Sequence, residues 1–162
     1  MDAVELLIHQ HRSIESLMKS MEEERDGAPR ADLLARIGDE LSVHLASEEE
    51  LFYPAVHAGR TEDVLLESLE EHLSLKRLLA DLLELPLDAQ TFAPKFQVLK
   101  EQAEHHHKEE EDHLFPKVLT LIDSSARAEL GRAMEALQAR LRKAGDPRDA
   151  IADQTEEAAP LE

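Results

Sequence analysis

His44-Leu45-Ala46-Ser47-Glu48-Glu49-Glu50-Leu51-Phe52-Tyr53-Pro54 returns 62 residues later as His106-His107-Lys108-Glu109-Glu110-Glu111-Asp112-His113-Leu114-Phe115-Pro116. In both copies a His and a Glu stand four apart, ahead of an aromatic residue and a proline. A further histidine in a leucine-rich stretch precedes each copy, His11 in HRSIESLM and His72 in HLSLKRLL, 61 residues apart. Four histidines and two glutamates from four segments are the donor count for a pair of six-coordinate metals. A His and a Glu four apart on a helix share a face, with β-carbons about 5–6 Å apart, so each copy can present a nitrogen and a carboxylate together. A single copy on an acidic helix reads as a solvated surface pair; two copies in register on apolar stripes read as a duplicated helical hairpin around a buried two-metal site.

The apolar spacing supplies the helices. Val4, Leu7, His11, Ile14, Met18 and Met21 recur at steps of three and four up to the break at Asp26-Gly27-Ala28-Pro29. A second helix runs from about Ala31 through Leu34, Ile37, Leu41, His44, Glu48 and Leu51, and is expected to kink or stop near Pro54, which has no amide donor. A third follows Leu65, Leu69, His72, Leu75, Leu79 and Leu82 to Pro86. A fourth follows Phe96, Leu99, Ala103, His106 and Glu110 to Pro116 and a turn or two beyond. Short connections between four long helices predict an all-α, antiparallel up-down four-helix bundle. Ser124 to about Lys143 is helical in composition and predicts a short additional C-terminal helix, so residues 1–143 form one domain and the polar residues 144–162 are expected to be a disordered acidic tail.

Composition excludes several functions. With 36 Asp and Glu against 18 Lys and Arg the net charge is −18, which repels a phosphate backbone and an anionic membrane surface alike. No nucleic-acid or membrane partner is expected. The absence of cysteine leaves only nitrogen and oxygen donors for a metal and excludes a thiol nucleophile. MDAVELLIHQ lacks the basic stretch and long apolar run of a signal peptide, so a cytoplasmic location is expected.

Helix phase selects among the nine histidines. His105, His106 and His107 are each followed four residues later by a glutamate, and His106 continues the Phe96–Leu99–Ala103 stripe. Lys100 and Glu104 precede His107 at helical spacing, and Glu101 and Gln102 precede His105, so His106 and Glu110 are taken as the inward pair. His9 lies about 200° around the helix from His11 and is expected to face solvent. His57 falls in a loop after Pro54. His113 is read as a group at the bundle end or behind the ligands, and Tyr53, the only tyrosine, as a packing residue whose alternative is to reach toward the metals.

HLASEEELFYPAV and HHKEEEDHLFPKV, with the His11 and His72 helices, resemble the hemerythrin-like HHE cation-binding domain over residues 2 to 143. The resemblance implies a left-handed up-down bundle with a non-haem, oxo- or hydroxo-bridged centre of two Fe ions, held by His11, His44, Glu48, His72, His106 and Glu110. The set is also similar to the di-iron domain of iron–sulfur-cluster repair proteins, although the cysteine-containing module of those proteins is missing. The Glu-x-x-His spacing of ferritin-like bundles is absent at these positions.

Oxygen-carrying members of the family have a second histidine four residues after the one on the third helix, where this chain has Lys76. Four histidines, two bridging glutamates and one shared solvent oxygen give each iron two nitrogens and three oxygens, which leaves each one position short of six. That favours reaction with a small oxidant (peroxide, dioxygen or nitric oxide) over reversible carriage, as a catalase- or peroxidase-like or nitric-oxide-handling activity. The rival is an iron or oxygen sensor, or a labile iron store, without turnover. Partners are then a small diatomic or peroxide ligand, with the chain a monomer or weak homo-oligomer. Lys76 corresponds to Glu15 under the 61-residue shift. The two are read either as an ion pair across the bundle or as separate solvated charges.

Overall fold

The computed structural model describes residues 1–162 and is built from helices alone. Four long helices make the antiparallel bundle: α1 (Ala3–Glu23), α2 (Gly27–Ser47), α4 (Glu62–Glu84) and α5 (Phe92–Glu109). Each packs on two others, α1 on α2 and α5, α4 on α5 and α2. Asp2 starts α1 with a capping box: its carboxylate accepts from the Glu5 amide at 2.9 Å while the Glu5 carboxylate accepts from the Asp2 amide at 3.0 Å.

The helices that carry His44 and His106 both change winding at the glutamate four residues on. α2 passes into a π-turn at Glu48–Phe52 and then the short α3 (Tyr53–Ala55); α5 passes into a π-turn at Glu110–Leu114 and then α6 (Phe115–Leu121). In each turn the carbonyl of the glutamate accepts from the amide five residues on, Tyr53 or Phe115. Pro54 and Pro116 follow directly and could not have donated to an ordinary helical ladder. The expected kink is thus a wider turn, and it re-aims the residue before each proline into the bundle.

Apolar residues segregate to the two ends of the bundle. One cluster includes Ile14, Met18, Ile37, Leu41, Leu75, Leu79, Phe92 and Leu99; the other includes Leu7, Phe52, Tyr53, Leu65, Leu69, Leu114 and Phe115. A layer of buried polar side chains lies between them. Truncating a core leucine such as Leu41, fully buried, to Ala should cost about 2–5 kcal/mol.

The additional C-terminal helix, α7 (Ser124–Ala144), is as long as α1 and packs against α1 and α2. Gly131 permits this approach, because a β-carbon there would meet the Met1 carbonyl at 2.6 Å. Residues 144–162 depart from the expected disordered tail. Pro147–Gln154 forms a 3-10 helix on α2 and α4 with Ile151 buried in the first apolar cluster, Arg148 pairs with Asp39 at 2.8 Å, and Arg77 donates to the carbonyls of Thr155 and Glu156. The segment is polar because only scattered side chains are used to anchor it, too few to show periodicity.

Candidate metal centre

His11 on α1, His44 on α2, His72 on α4 and His106 on α5 enter the middle polar layer with Glu48 and Glu110, and all six are buried. His107 enters with them and is equally buried. The seven side chains sort into two adjoining pockets. His11, His44 and His107 converge in one, with the His11 and His107 rings stacked at 4.0 Å; His72 and His106 converge in the other, their Nε2 atoms 3.1 Å apart.

Both carboxylates lie between the pockets. Glu48 Oε1 is 3.4 Å from His44 Nε2 and 3.2 Å from His72 Nε2; Glu110 Oε1 is 3.2 Å from His11 Nε2 and 3.5 Å from His106 Nε2. Each glutamate therefore reaches one nitrogen from either side, as a bridging ligand must.

The outer nitrogens are all tied down. Nδ1 of His11 meets Glu111 at 2.7 Å, Nδ1 of His72 meets Glu49 at 2.8 Å, Nδ1 of His106 meets Glu71 at 2.8 Å, and Nδ1 of His107 meets Glu15 at 2.8 Å. His44 Nδ1 meets an amide instead, Gln10 Oε1 at 2.9 Å. With the hydrogen held on Nδ1, the Nε2 lone pair of each ring faces the centre, which is the orientation that metal-binding histidines take from their outer partners. Nε2 of His44 and His107 and both oxygens of Glu48 have no hydrogen-bond partner in the protein. Buried polar atoms left unpaired are costly, and a cation among them removes that cost.

Electrostatics without a cation are correspondingly divided. Burial depresses His44 well below the ordinary imidazole range, helped by the charges of His11 and His107. Burial likewise takes His107 down to about 4, against its hydrogen bond to Glu15. His11, His72 and His106 move upward: burial opposes their charge, but hydrogen bonds and charge from Glu110, Glu48 and the outer glutamates outweigh it. Burial and the neighbouring Glu110 raise Glu48, while Glu110, despite its burial, is held low chiefly by His106. Two carboxylates so close cannot share the site comfortably unless positive charge lies between them.

Four residues stand differently from the sequence reading. His107, passed over in favour of His106 because Lys100 and Glu104 precede it, is four residues after the buried Ala103 and eleven after the buried Phe96, and that spacing is the signal which finds it. The expectation that each ion lacks one ligand is thereby revised, since one pocket has three imidazoles and the other two. Tyr53, read as packing, does bury its ring against His72 at 5.4 Å, but its hydroxyl also donates to Glu110 Oε2 at 2.8 Å and lies 3.1 Å from His72 Nε2. Lys76 and Glu15 do not pair: Lys76 donates to Glu49 at 2.9 Å, and Glu15 accepts from Arg12 and meets His107. Both still belong to the centre, one step behind His72 and His107. His9, His57, His105 and His113 are exposed.

The surroundings of the pockets also differ. Glu71, behind His106, lines an open groove of about 460 Å3 between α4 and α5 with Glu67, Glu70, Glu101 and His105. Gln10, behind His44, is covered by α7.

Comparison with known proteins agrees with this architecture. A crystal structure of a hemerythrin HHE cation-binding domain-containing protein from Mycobacterium kansasii superposes with a TM-score of 0.79 over 97% of this chain and 94% of that one, at 24% identity. A curated DNA nickase from Nostoc sp. is 22% identical over 133 residues, which is 82% of this chain but 38% of that protein. The hemerythrin HHE cation-binding domain profile matches residues 2–118, and the chain belongs to that family.

Proposed function

We propose that the chain holds two iron ions, one per pocket, and that the centre reacts with a small oxidant, hydrogen peroxide foremost, rather than carrying dioxygen reversibly. His11, His44 and His107 would hold one ion, His72 and His106 the other, with Glu48 and Glu110 shared. The observation that carries this reading is the set of five buried imidazoles, each locked at Nδ1, four of them with Nε2 against Glu48 or Glu110 and the fifth, His107, gathered with His11 and His44. Seven nitrogen and oxygen donors without a thiolate exceed the four of a structural zinc site and suit iron.

A bound iron pair supplies Lewis acidity and reversible electron transfer. The protein supplies the rest. Glu48 and Glu110 balance positive charge, the outer glutamates make the imidazoles stronger donors, and the two apolar clusters keep bulk water away. Tyr53 distinguishes the two-histidine pocket. Burial, with the charges of Glu110 and Glu48, pushes its phenol well above the ordinary value, so the hydroxyl keeps its hydrogen. A buried O–H at the pocket with fewer ligands would donate a hydrogen bond to an oxygen atom arriving there, which stabilises negative charge on that oxygen and favours O–O cleavage over holding dioxygen intact.

Iron-loaded protein should consume hydrogen peroxide over many turnovers, and Tyr53→Phe should slow that by about 100-fold with unchanged iron content. Dioxygen uptake by the reduced protein that reverses fully under vacuum would contradict the reading. The charge of −18 opposes approach to DNA, so the activity named for the Nostoc protein is not carried over. No helix is long and apolar enough to cross a membrane, consistent with the cytoplasmic setting we propose.

A further inference from the structure

The repeat relating the two pockets pairs Gln10 with Glu71, 61 residues apart, and both stand behind the histidine of the neighbouring helix: Gln10 behind His44, Glu71 behind His106. One is a neutral amide and the other a carboxylate. What differs around them is α7. It lies on α1 and α2 and places Gln138 against Gln10, and both glutamines are buried.

The hydrogen bonds of this corner can be followed in one direction only. Ser47 Oγ donates to the His44 carbonyl at 2.9 Å, so its oxygen is left to accept, and it accepts from Gln138 Nε2 at 2.9 Å. That places the amide nitrogen of Gln138 toward Ser47 and its oxygen toward Gln10 Nε2, which donates to it at 2.7 Å. Gln10 Oε1 is then turned to His44 Nδ1, at 2.9 Å, and takes a second hydrogen from Gln138 Nε2 at 3.2 Å. An oxygen facing Nδ1 requires the hydrogen on Nδ1. The Nε2 lone pair of His44 is consequently the bare atom that faces the centre.

We infer that Gln138, on a helix outside the four-helix bundle and 128 residues from Gln10, is a positioning residue for the three-histidine pocket. It fixes the Gln10 amide, which fixes the tautomer of His44, so docking of α7 and metal affinity at that one pocket are linked. A neutral amide suits this place because α7 shuts it from water, where an ionised carboxylate would cost desolvation; Glu71, on its open groove, meets no such barrier. The inference rests on the two-metal reading above.

Gln138→Leu removes the group that holds the Gln10 amide in one orientation. Gln10→Glu in the same chain removes the need for it, because a carboxylate presents an oxygen to His44 whichever way it turns, and the positive charge of a bound ion offsets the desolvation of that carboxylate in the metal-loaded state. Anaerobic titration of metal-free protein with ferrous iron, counting tightly held metal, separates the cases. Wild type should bind two. Gln138→Leu should bind one as before and the second about 10- to 100-fold more weakly, and the Gln10→Glu/Gln138→Leu double variant should regain the second. Two equally tight ions in Gln138→Leu would overturn the inference while leaving the two-metal reading standing, as would failure of the double variant to regain the second ion. A Gln138→Leu protein that weakens both ions equally, with helix content lost by circular dichroism, would also overturn it. Wild type binding fewer than two would overturn both.

Discussion

The two pockets are copies of one design that differ at matched positions. His11 and His72, His44 and His106, and Glu48 and Glu110 correspond under the internal repeat, and so do the outer carboxylates Glu111 and Glu49, which hold His11 and His72. Leu45 of the first copy corresponds to His107 of the second, and Tyr53 of the first to Phe115 of the second. His107 adds a third imidazole beside His11. Tyr53 adds a hydroxyl beside His72, where the matched contact at His11 is the plain ring of Phe115, 5.9 Å away. On the proposed function, the repeat gives a symmetric frame for two metals, and His107 and Tyr53 then make one pocket rich in nitrogen and set a hydroxyl beside the other.

The severest way to break this comparison is to remove a shared ligand. Glu48→Ala or Glu110→Ala should abolish tight binding of both metals, since each carboxylate reaches both pockets, whereas His9→Ala and His105→Ala should leave metal content at wild type; elemental analysis after gel filtration distinguishes them. Loss of only one metal in Glu48→Ala would mean that it is no bridge. Stripping metal from the wild type should lower the thermal midpoint by about 10 °C, as expected when a ligand at about 1,000 times its dissociation constant is withdrawn from a domain of this size. Equal midpoints with and without metal would argue against a central site.

His107→Leu sharpens the comparison by restoring the residue of the first copy. It should leave the two-histidine pocket loaded and weaken the other. It should also change the acid response of the metal-free protein. His107 titrates near 4 when folded and near 6.5 when unfolded, so the unfolded chain binds the proton first, and stability present above about pH 6.5 is lost as the pH falls toward 4. The loss can reach about 3 kcal/mol for so buried a group. His44 adds to it in the same direction; His11, His72 and His106, raised when folded, oppose it near pH 6.5 and fade below, and because they are common to wild type and His107→Leu they cancel in the difference between the two. The denaturant midpoint of wild type should therefore fall relative to that of His107→Leu as the pH is lowered from 6.5 to 4.5, and parallel curves would show that His107 is not buried neutral.

The repeat made the bundle and six of the seven converging groups legible in the sequence, because a motif that recurs on an apolar stripe leaves few alternatives. His107 was obscured by reading a stripe as a single line. A bundle helix buries an arc wide enough for two successive residues, so His106 turns toward α4 and His107 toward α1, while Lys100 and Glu104 at the edges of the arc still reach water. The inward turn of Tyr53 depends on the π-turn, which no spacing rule for ordinary helices contains. Lys76 and Glu15 were matched correctly by the repeat, but their partners, Glu49 and His107, come from other helices and are set by packing. The acidic tail hid its anchors, Ile151, Arg148 and the carbonyls held by Arg77, among residues typical of disordered chain.

Two metals in unlike surroundings are the central claim, and Mössbauer spectra of protein reconstituted anaerobically with enriched ferrous iron test it most directly. The account predicts two iron signals of equal area and distinct parameters, one of which is lost or altered in His107→Leu while the other persists. A single iron per chain, or two indistinguishable irons in the wild type, would contradict it.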